Sequence, residues 1–433
     1  MDRYIRRYIM KKYVGIFTAL CLTTALMSGC GSSNTKTETA AAENESESSS
    51  IFSEGTGTAE DPYQISDAET FLAFAEGVNS GTEGGYADKY IQLTADIDLS
   101  GIDWTPIGNM NDMENYTTFF LGTFDGLEHT VSNLTYTTDD FICGAGLFGM
   151  NAGVIENLNV ENSVITANEG TSLAIGGVIG YNMGVADNIH ISGNSEITGN
   201  NCTGGIIGGN KGTVKNCSAE DVNIVVIGDN QFDDRIIQVD IAECGGLIIG
   251  GSFGGTIDNC TAKGTITAEG NEPVGLGGIG GCLEMMDSVT NCTADVTIKS
   301  AKGGHAIGGL CGYAGTHSDP DVCLETEGFS TTNYPSVINN CNVTVSIDAD
   351  NATHVGGIVG TGLYYYGEET AFKITNCSVK GEINGAVTPG AIAGRAEGST
   401  IENCNADVLF NGNSLTSEIG STTCMYESAD QYE

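Results

Sequence analysis

The spacing of apolar positions along the chain fits neither a helix nor a plain strand. One phrase recurs: apolar, any residue, Asn, then Cys, Leu or Ile, any residue, apolar. Its copies centre on Asn133, Asn157, Asn188, Asn216, Asn259, Asn291, Asn340, Asn376 and Asn403. In the later copies Val214, Ile257, Val289, Ile338, Ile374 and Ile401 stand two before the Asn. Cys217, Cys260, Cys292, Cys341, Cys377 and Cys404 stand one after it, and Ala219, Ala262, Ala294, Val343, Val379 and Ala406 two further on. If all three face inward, the steps are three and then two, whereas a strand alternates strictly by two. The extra residue must be a bend, and Asn tolerates left-handed backbone better than most residues. Each phrase therefore predicts strand, Asn corner, strand, with the Asn side chains of successive coils bonding one another in a ladder.

A second phrase, Gly-Gly-apolar-apolar-Gly, precedes the first, as in Gly176–Gly180, Gly204–Gly208, Gly308–Gly312 and Gly356–Gly360. An apolar pair between glycines predicts a short buried strand with tight corners. A third strand follows the Asn phrase, as in Val222–Val226 and Val296–Ile298. A fixed phrase with variable spacers marks stacked coils with loops inserted at their corners. The expected fold is all-β: a right-handed parallel β-helix, a solenoid of about nine coils. Ser66-Asp67-Ala68-Glu69 reads as a capping box, and Phe71, Leu72, Phe74, Ala75 and Val78 follow helical spacing. Residues 66–79 are expected to form a helical cap over the N-terminal end, followed by an opening strand over 90–99.

Composition agrees with a repeated, turn-rich architecture: Gly is 62 of 433 residues, with only 6 Pro and 1 Trp. The start of the chain is different in kind. Arg3, Arg6, Arg7, Lys11 and Lys12 precede an apolar run from Val14 to Met27, then Ser28-Gly29-Cys30. This resembles a bacterial lipoprotein signal, in which the Cys becomes the lipid-carrying N-terminus. The expected organisation is signal peptide 1–29, Ser/Thr/Glu-rich tether 30–50, cap and opening strand 51–108, β-helix 109–410, and C-terminal cap and tail 411–433. Loss of residues 1–29 leaves 11 basic and 55 acidic residues. So acidic a body argues against nucleic-acid partners.

Trp104-Thr105-Pro106-Ile107-Gly108, Phe120 to Gly126, His129 to Leu134 and Gly146-Leu147-Phe148-Gly149 resemble the GLUG-motif repeat proteins of bacterial cell surfaces. The resemblance covers roughly residues 55–410. It implies a surface-exposed β-helix of adhesin-like character, and it carries no catalytic residue set.

Candidate chemistry adds little to this. Six of the 15 cysteines are the in-phase ladder residues, and Leu158 and Ile189 take the same place in other coils. That exchange favours packing over metal or redox work. Exported thiols that remain reduced fit an anaerobic setting. The five His form no His-Glu-x-x-His, and neither a Gly-x-Ser-x-Gly elbow nor a P-loop is present. Lyase chemistry needs basic residues that this chain lacks. Hydrolase chemistry needs paired carboxylates, and among so many acids pairs such as Asp96/Asp98 or Asp319/Asp321 arise by chance. No cofactor is expected. Ca²⁺ is the cation for which Asp319, Asp321 and the Asn/Asp-rich stretch 109–115 offer oxygen ligands, although solvated charge also accounts for them.

Residues 313–336 and 361–373 expand two adjacent coils at the same corner. They hold His317, Asp319, Asp321, Tyr334, Tyr364, Tyr365, Tyr366, Glu368 and Glu369. Tyr beside carboxylates suits sugar rings or a protein partner. The sequence therefore predicts a lipid-anchored surface protein, adhesin-like or scaffolding, that binds glycan or protein without catalysis. A carbohydrate-active β-helix enzyme and a spacer without ligand are the alternatives.

Overall fold

The structure is a computed structural model. It describes residues 51–108, 118–140, 142–168, 172–228, 243–270, 274–284, 287–315, 336–361, 372–396 and 399–421, all within one compact unit. Apart from two helical segments near its start, the described chain is built of strands in three sheets of 23, seven and nine strands. The pairings are parallel, with one antiparallel exception where Leu409 meets Ser414. Successive turns of the chain add strands to the same sheets in register, which makes the fold a β-solenoid.

One turn shows why. Thr293–Ser300 pairs over eight residues with Thr261–Ala268 on one side and Asn342–Ala349 on the other. Its Ala294, Val296, Ile298 and Ser300 are buried, and the residues between them face outward. Parallel register then stacks like on like. Ile197, Ile224, Ile266, Ile298, Ile347 and Ile383 form one column through the core, each fully buried. Each such burial contributes about 1.5–3 kcal/mol. The expected third strand is not separate. It continues the strand that follows the Asn, as in Ser218–Val226, where Asp221 adopts a left-handed backbone and shifts the register by one.

The Gly-rich phrase also differs from expectation. Its apolar pair is not one strand: the first of the two residues lies in the arch between strands of different sheets, and the second opens the next strand. Cys202–Gly204 belongs to the seven-stranded sheet and Ile207–Asn210 to the nine-stranded sheet, with Gly205 and Ile206 between them. Each glycine of the phrase faces backbone. A Cβ on Gly204 would lie 1.8 Å from the Ile207 carbonyl oxygen, on Gly205 2.1 Å from the Leu247 carbonyl oxygen, and on Gly208 2.2 Å from the Ile175 nitrogen. The first glycine closes the arch, the second admits the next coil, and the third lets the two sheets meet back to back.

At the N-terminal end, helix α1 spans Ala68–Asn79. Its cap is Asp67 rather than Ser66: the Asp67 carboxylate accepts the Thr70 N–H at 2.8 Å, a simple N-cap in place of the expected capping box. Phe71 stacks on Trp104 with ring centroids 5.4 Å apart, and Phe74 on Phe124 at 5.9 Å. The Trp104 indole donates to the Gly146 carbonyl at 3.2 Å. The expected opening strand is two strands, Tyr90–Leu93 and Ile97–Asp98. At the other end Ile374, Cys377 and Val379 are buried. In the next coil Ile401 and Cys404 are half-buried and Ala406 is exposed.

Candidate functional site

The Asn corners come first, because they fix where each coil turns. All nine have φ between 52° and 59°. Their side chains make the coil-to-coil bonds in two ways. Asn188 donates to Asn157 at 2.9 Å, Asn259 to Asn216 at 2.8 Å, Asn340 to Asn291 at 2.7 Å and Asn403 to Asn376 at 3.4 Å. In the intervening steps the acceptor is the residue before the corner. Asn216 donates to Asp187 at 2.8 Å, Asn291 to Asp258 at 2.7 Å and Asn376 to Asn339 at 2.9 Å. The row is thus a mixed Asn and Asp ladder, in which an Asn amide can use the neighbouring Asp as acceptor.

A second polar ladder has no counterpart in the sequence reading. Asn151 donates to Asn182 at 2.8 Å, Asn182 to Asn210 at 2.9 Å, Asn210 to Ser252 at 3.2 Å and Ser252 to Asp287 at 2.9 Å. All five are buried. The Asn151 and Asn210 oxygens also accept the N–H of Gly153 and Gly212 at 3.0 and 3.2 Å. Asn-x-Gly after each arch was the signal: Asn151-Ala-Gly153, Asn182-Met-Gly184 and Asn210-Lys-Gly212.

The ladder cysteines are thiols set in the core. Each donates to the carbonyl two residues earlier, as Cys217 does to Lys215 at 3.1 Å, Cys292 to Thr290 at 3.1 Å and Cys377 to Thr375 at 3.1 Å. The Cys292 thiol leads in pushing Cys341 up to about 12, with Cys377 opposing it and burial adding to it. Thiols so disposed are poor nucleophiles and poor ligands. Among the described residues no group of three His, Cys, Asp or Glu is placed to hold a metal ion.

The acidic pair Asp96/Asp98 is engaged structurally. Asp96 accepts the Thr130 N–H at 3.0 Å and meets His129 at 3.0 Å, and the Thr130 bond leads in holding its carboxyl below the usual range. Asp98 accepts from Asn133 at 2.9 Å and from the Ser100 hydroxyl at 2.6 Å, with the same effect. Asp125, Glu156 and Asp187 lie side by side in register on three strands. Burial, then Asp125 and Asp187, raise the Glu156 pKa, and Lys215 meets Asp187 at 2.9 Å.

The predicted binding residues His317, Asp319, Asp321, Tyr334, Tyr364, Tyr365, Tyr366, Glu368 and Glu369 lie outside the described residues, as do Cys30 and the stretch 109–115. The strands that bound the two insertions are described, and they trim the expected limits. The chain leaves the nine-stranded sheet at Gly315 and re-enters the long sheet at Ser336, then leaves at Thr361 and re-enters at Phe372. In the coil of Ile249–Phe253 the same corner is crossed by Gly254 and Gly255 alone. Tyr313, Thr361 and Arg395 are in register on neighbouring strands at this corner, and all three are buried. His354 is also buried, with a left-handed backbone at φ 54°. Burial, then Arg395 and His305, depress its pKa to about 4. His305 itself bonds the Thr353 hydroxyl at 2.5 Å.

Comparison with known proteins adds the following. The chain is 32% identical over 160 residues to Halomucin of Haloquadratum walsbyi, covering 36% of this chain and 2% of that protein. It is 33% identical over 147 residues to the "Putative Gly-rich membrane protein" of Evansella cellulosilytica, covering 33% of this chain and 16% of that protein. A solved structure named "putative immunoglobulin A1 protease", from Bacteroides ovatus, aligns over 86% of this chain and 84% of its own, with 21% identity and a TM-score of 0.45. The family model described as "The GLUG motif" matches residues 241–267 and 351–384. Both stretches take in a Gly-rich arch and the strands around it, so this β-solenoid carries the GLUG motif.

Proposed function

We propose that this chain is an exported, lipid-anchored surface protein that presents loops to glycan or protein ligands and performs no catalysis. One observation carries the reading: two consecutive coils lengthen at one corner, where an earlier coil needs only two glycines. Parallel register sets the strands that flank the two insertions about 5 Å apart along the stack, and in this reading the loops act on one ligand. The GLUG match supports a surface role, and the name of the Evansella relative supports a membrane location. Cys30 is the proposed lipid site, and residues 31–50 the tether. In this reading the solenoid is a right-handed β-helix of about nine coils, wound as parallel crossovers generally are. Helix α1 closes its N-terminal end.

The non-catalytic part rests on how the reactive side chains are occupied. The ladder thiols are bonded to carbonyls and, Cys404 apart, buried, and the Asp96 and Asp98 carboxylates are bonded to structural donors.

The test is a screen of residues 51–433 against glycans and host-matrix proteins, with and without Ca²⁺, following each bound glycan for cleavage. Saturable binding without product is the expected result. A defined cleavage product would replace this reading with a carbohydrate-active enzyme. Silence across the screen would leave a spacer.

A further inference from the structure

The seven-stranded sheet holds a pair of cysteines that differs from the ladder. Cys202 opens the strand Cys202–Gly204, and Cys244 directly precedes the strand Gly245–Gly246. The two strands pair through Thr203 with Gly245 and Gly204 with Gly246, so Cys202 and Cys244 face each other one step earlier in the same register. The Thr203 N–H donates to the Cys244 carbonyl at 2.9 Å and holds the two backbones together. The sulfurs stand 3.5 Å apart, with Cys202 5% and Cys244 0% exposed.

The ladder thiols also neighbour one another, and each donates to the carbonyl two residues earlier. In the seven-stranded sheet the Cys244 thiol is aimed at the Cys202 sulfur itself. In-register parallel neighbours are about 4.8 Å apart at Cα, inside the roughly 4.4–6.8 Å range that a disulfide accepts. Closing the bond needs the sulfurs to approach by about 1.5 Å, which side-chain rotation can supply. The Cys202 sulfur occupies the space that a side chain at Gly251 would take, since a Cβ there would come within 2.8 Å of it.

We propose that Cys202 and Cys244 are an oxidisable dithiol that closes into a disulfide and staples two adjacent coils. The oxidant is a small-molecule or protein disulfide. The Cys202 thiol, the more exposed of the two, loses its proton and attacks one sulfur of the oxidant, which releases the first thiolate. The Cys244 thiol then loses its proton, and its sulfur displaces the second thiolate from Cys202. One S–S bond forms in the chain and one breaks in the oxidant. Two electrons pass to the oxidant, and the two protons end on its thiolates. The two cysteines lie 42 positions apart in sequence, so the bond closes a long loop in the unfolded chain.

The full chain is treated with oxidised glutathione, alkylated, digested and read by mass spectrometry, and its thermal midpoint is measured in parallel. The expected result is a Cys202–Cys244 cross-linked peptide lighter by two hydrogens and an upward shift of the midpoint by several degrees. Dithiothreitol reverses both in the unmutated chain, so the test does not depend on a variant folding. Cys202→Ser and Cys244→Ser should each abolish the shift, and Cys217→Ser should not. An unmoved midpoint without the cross-link, a bridge among the ladder thiols, or a lasting glutathione adduct on Cys202 would each overturn the proposal.

Discussion

At the scale of single residues, two ionisable groups, one buried and one half-buried, make opposite predictions about pH. His354 is held neutral, with its pKa depressed from 6.5 to about 4. The unfolded chain therefore binds a proton at this site at higher pH than the folded one. Stability is full above 6.5 and is lost as pH falls toward about 4, by an amount on the order of 3 kcal/mol for this group. His354→Asn keeps the left-handed backbone accessible, so it should flatten urea-melt stability across that window. Glu156 has the other sign. Its raised pKa means that the folded state resists ionisation, so stability increases as pH falls toward the ordinary value of 4.5. Glu156→Gln should raise the thermal midpoint at pH 7, and the gain should vanish in acid. A third prediction belongs to the corners. Asn291→Ala should cost about 1–2 kcal/mol, because it keeps a Cβ in left-handed backbone and removes the amide that donates to Asp258. Asn291→Gly should recover the backbone part of that loss.

At the scale of elements, the arch decides which glycines are replaceable. Gly208→Ala would set a methyl 2.2 Å from the Ile175 nitrogen, where only backbone could yield. It should cost about 3 kcal/mol or prevent folding. Gly280→Ala meets the tip of Leu283 at 3.0 Å. It stands in register with Ile249 and Cys311, so neighbouring coils already carry side chains there. Its cost should be within about 1 kcal/mol. Chemical denaturation of the two variants checks the pair. The same element marks how far the sequence could be read. The Asn corners were legible because apolar residues on both sides announce a three-then-two step. Helix α1 was legible because Phe71, Phe74 and Val78 repeat at helical spacing. The arch was not, since glycine has no side chain to report which face it takes, and the apolar pair between glycines reads as a strand. The inner ladder of Asn151, Asn182, Asn210, Ser252 and Asp287 was hidden for a different reason. Polar residues read as surface unless their partners in adjacent coils are known.

At the scale of the whole molecule, sequence spacing locates the two insertions at one corner but says nothing of how their side chains combine, because loop sequence carries no period. The solenoid gives them a common base instead. The strands that end at Gly315 and Thr361 are neighbours in one sheet, with the buried Tyr313, Thr361 and Arg395 side by side. The core does not need the insertions, since the coil of Ile249–Phe253 crosses the same corner with Gly254 and Gly255. Binding should therefore be separable from folding. The decisive measurement compares the chain with a variant in which residues 316–335 and 362–371 are each replaced by two glycines. Both are assayed against the same panel of glycans and matrix proteins, after circular dichroism has shown equal strand content and similar melting. The account predicts saturable, product-free binding by the intact chain and its loss in the shortened one. Equal binding by both, or cleavage of a bound glycan by the intact chain, would contradict it.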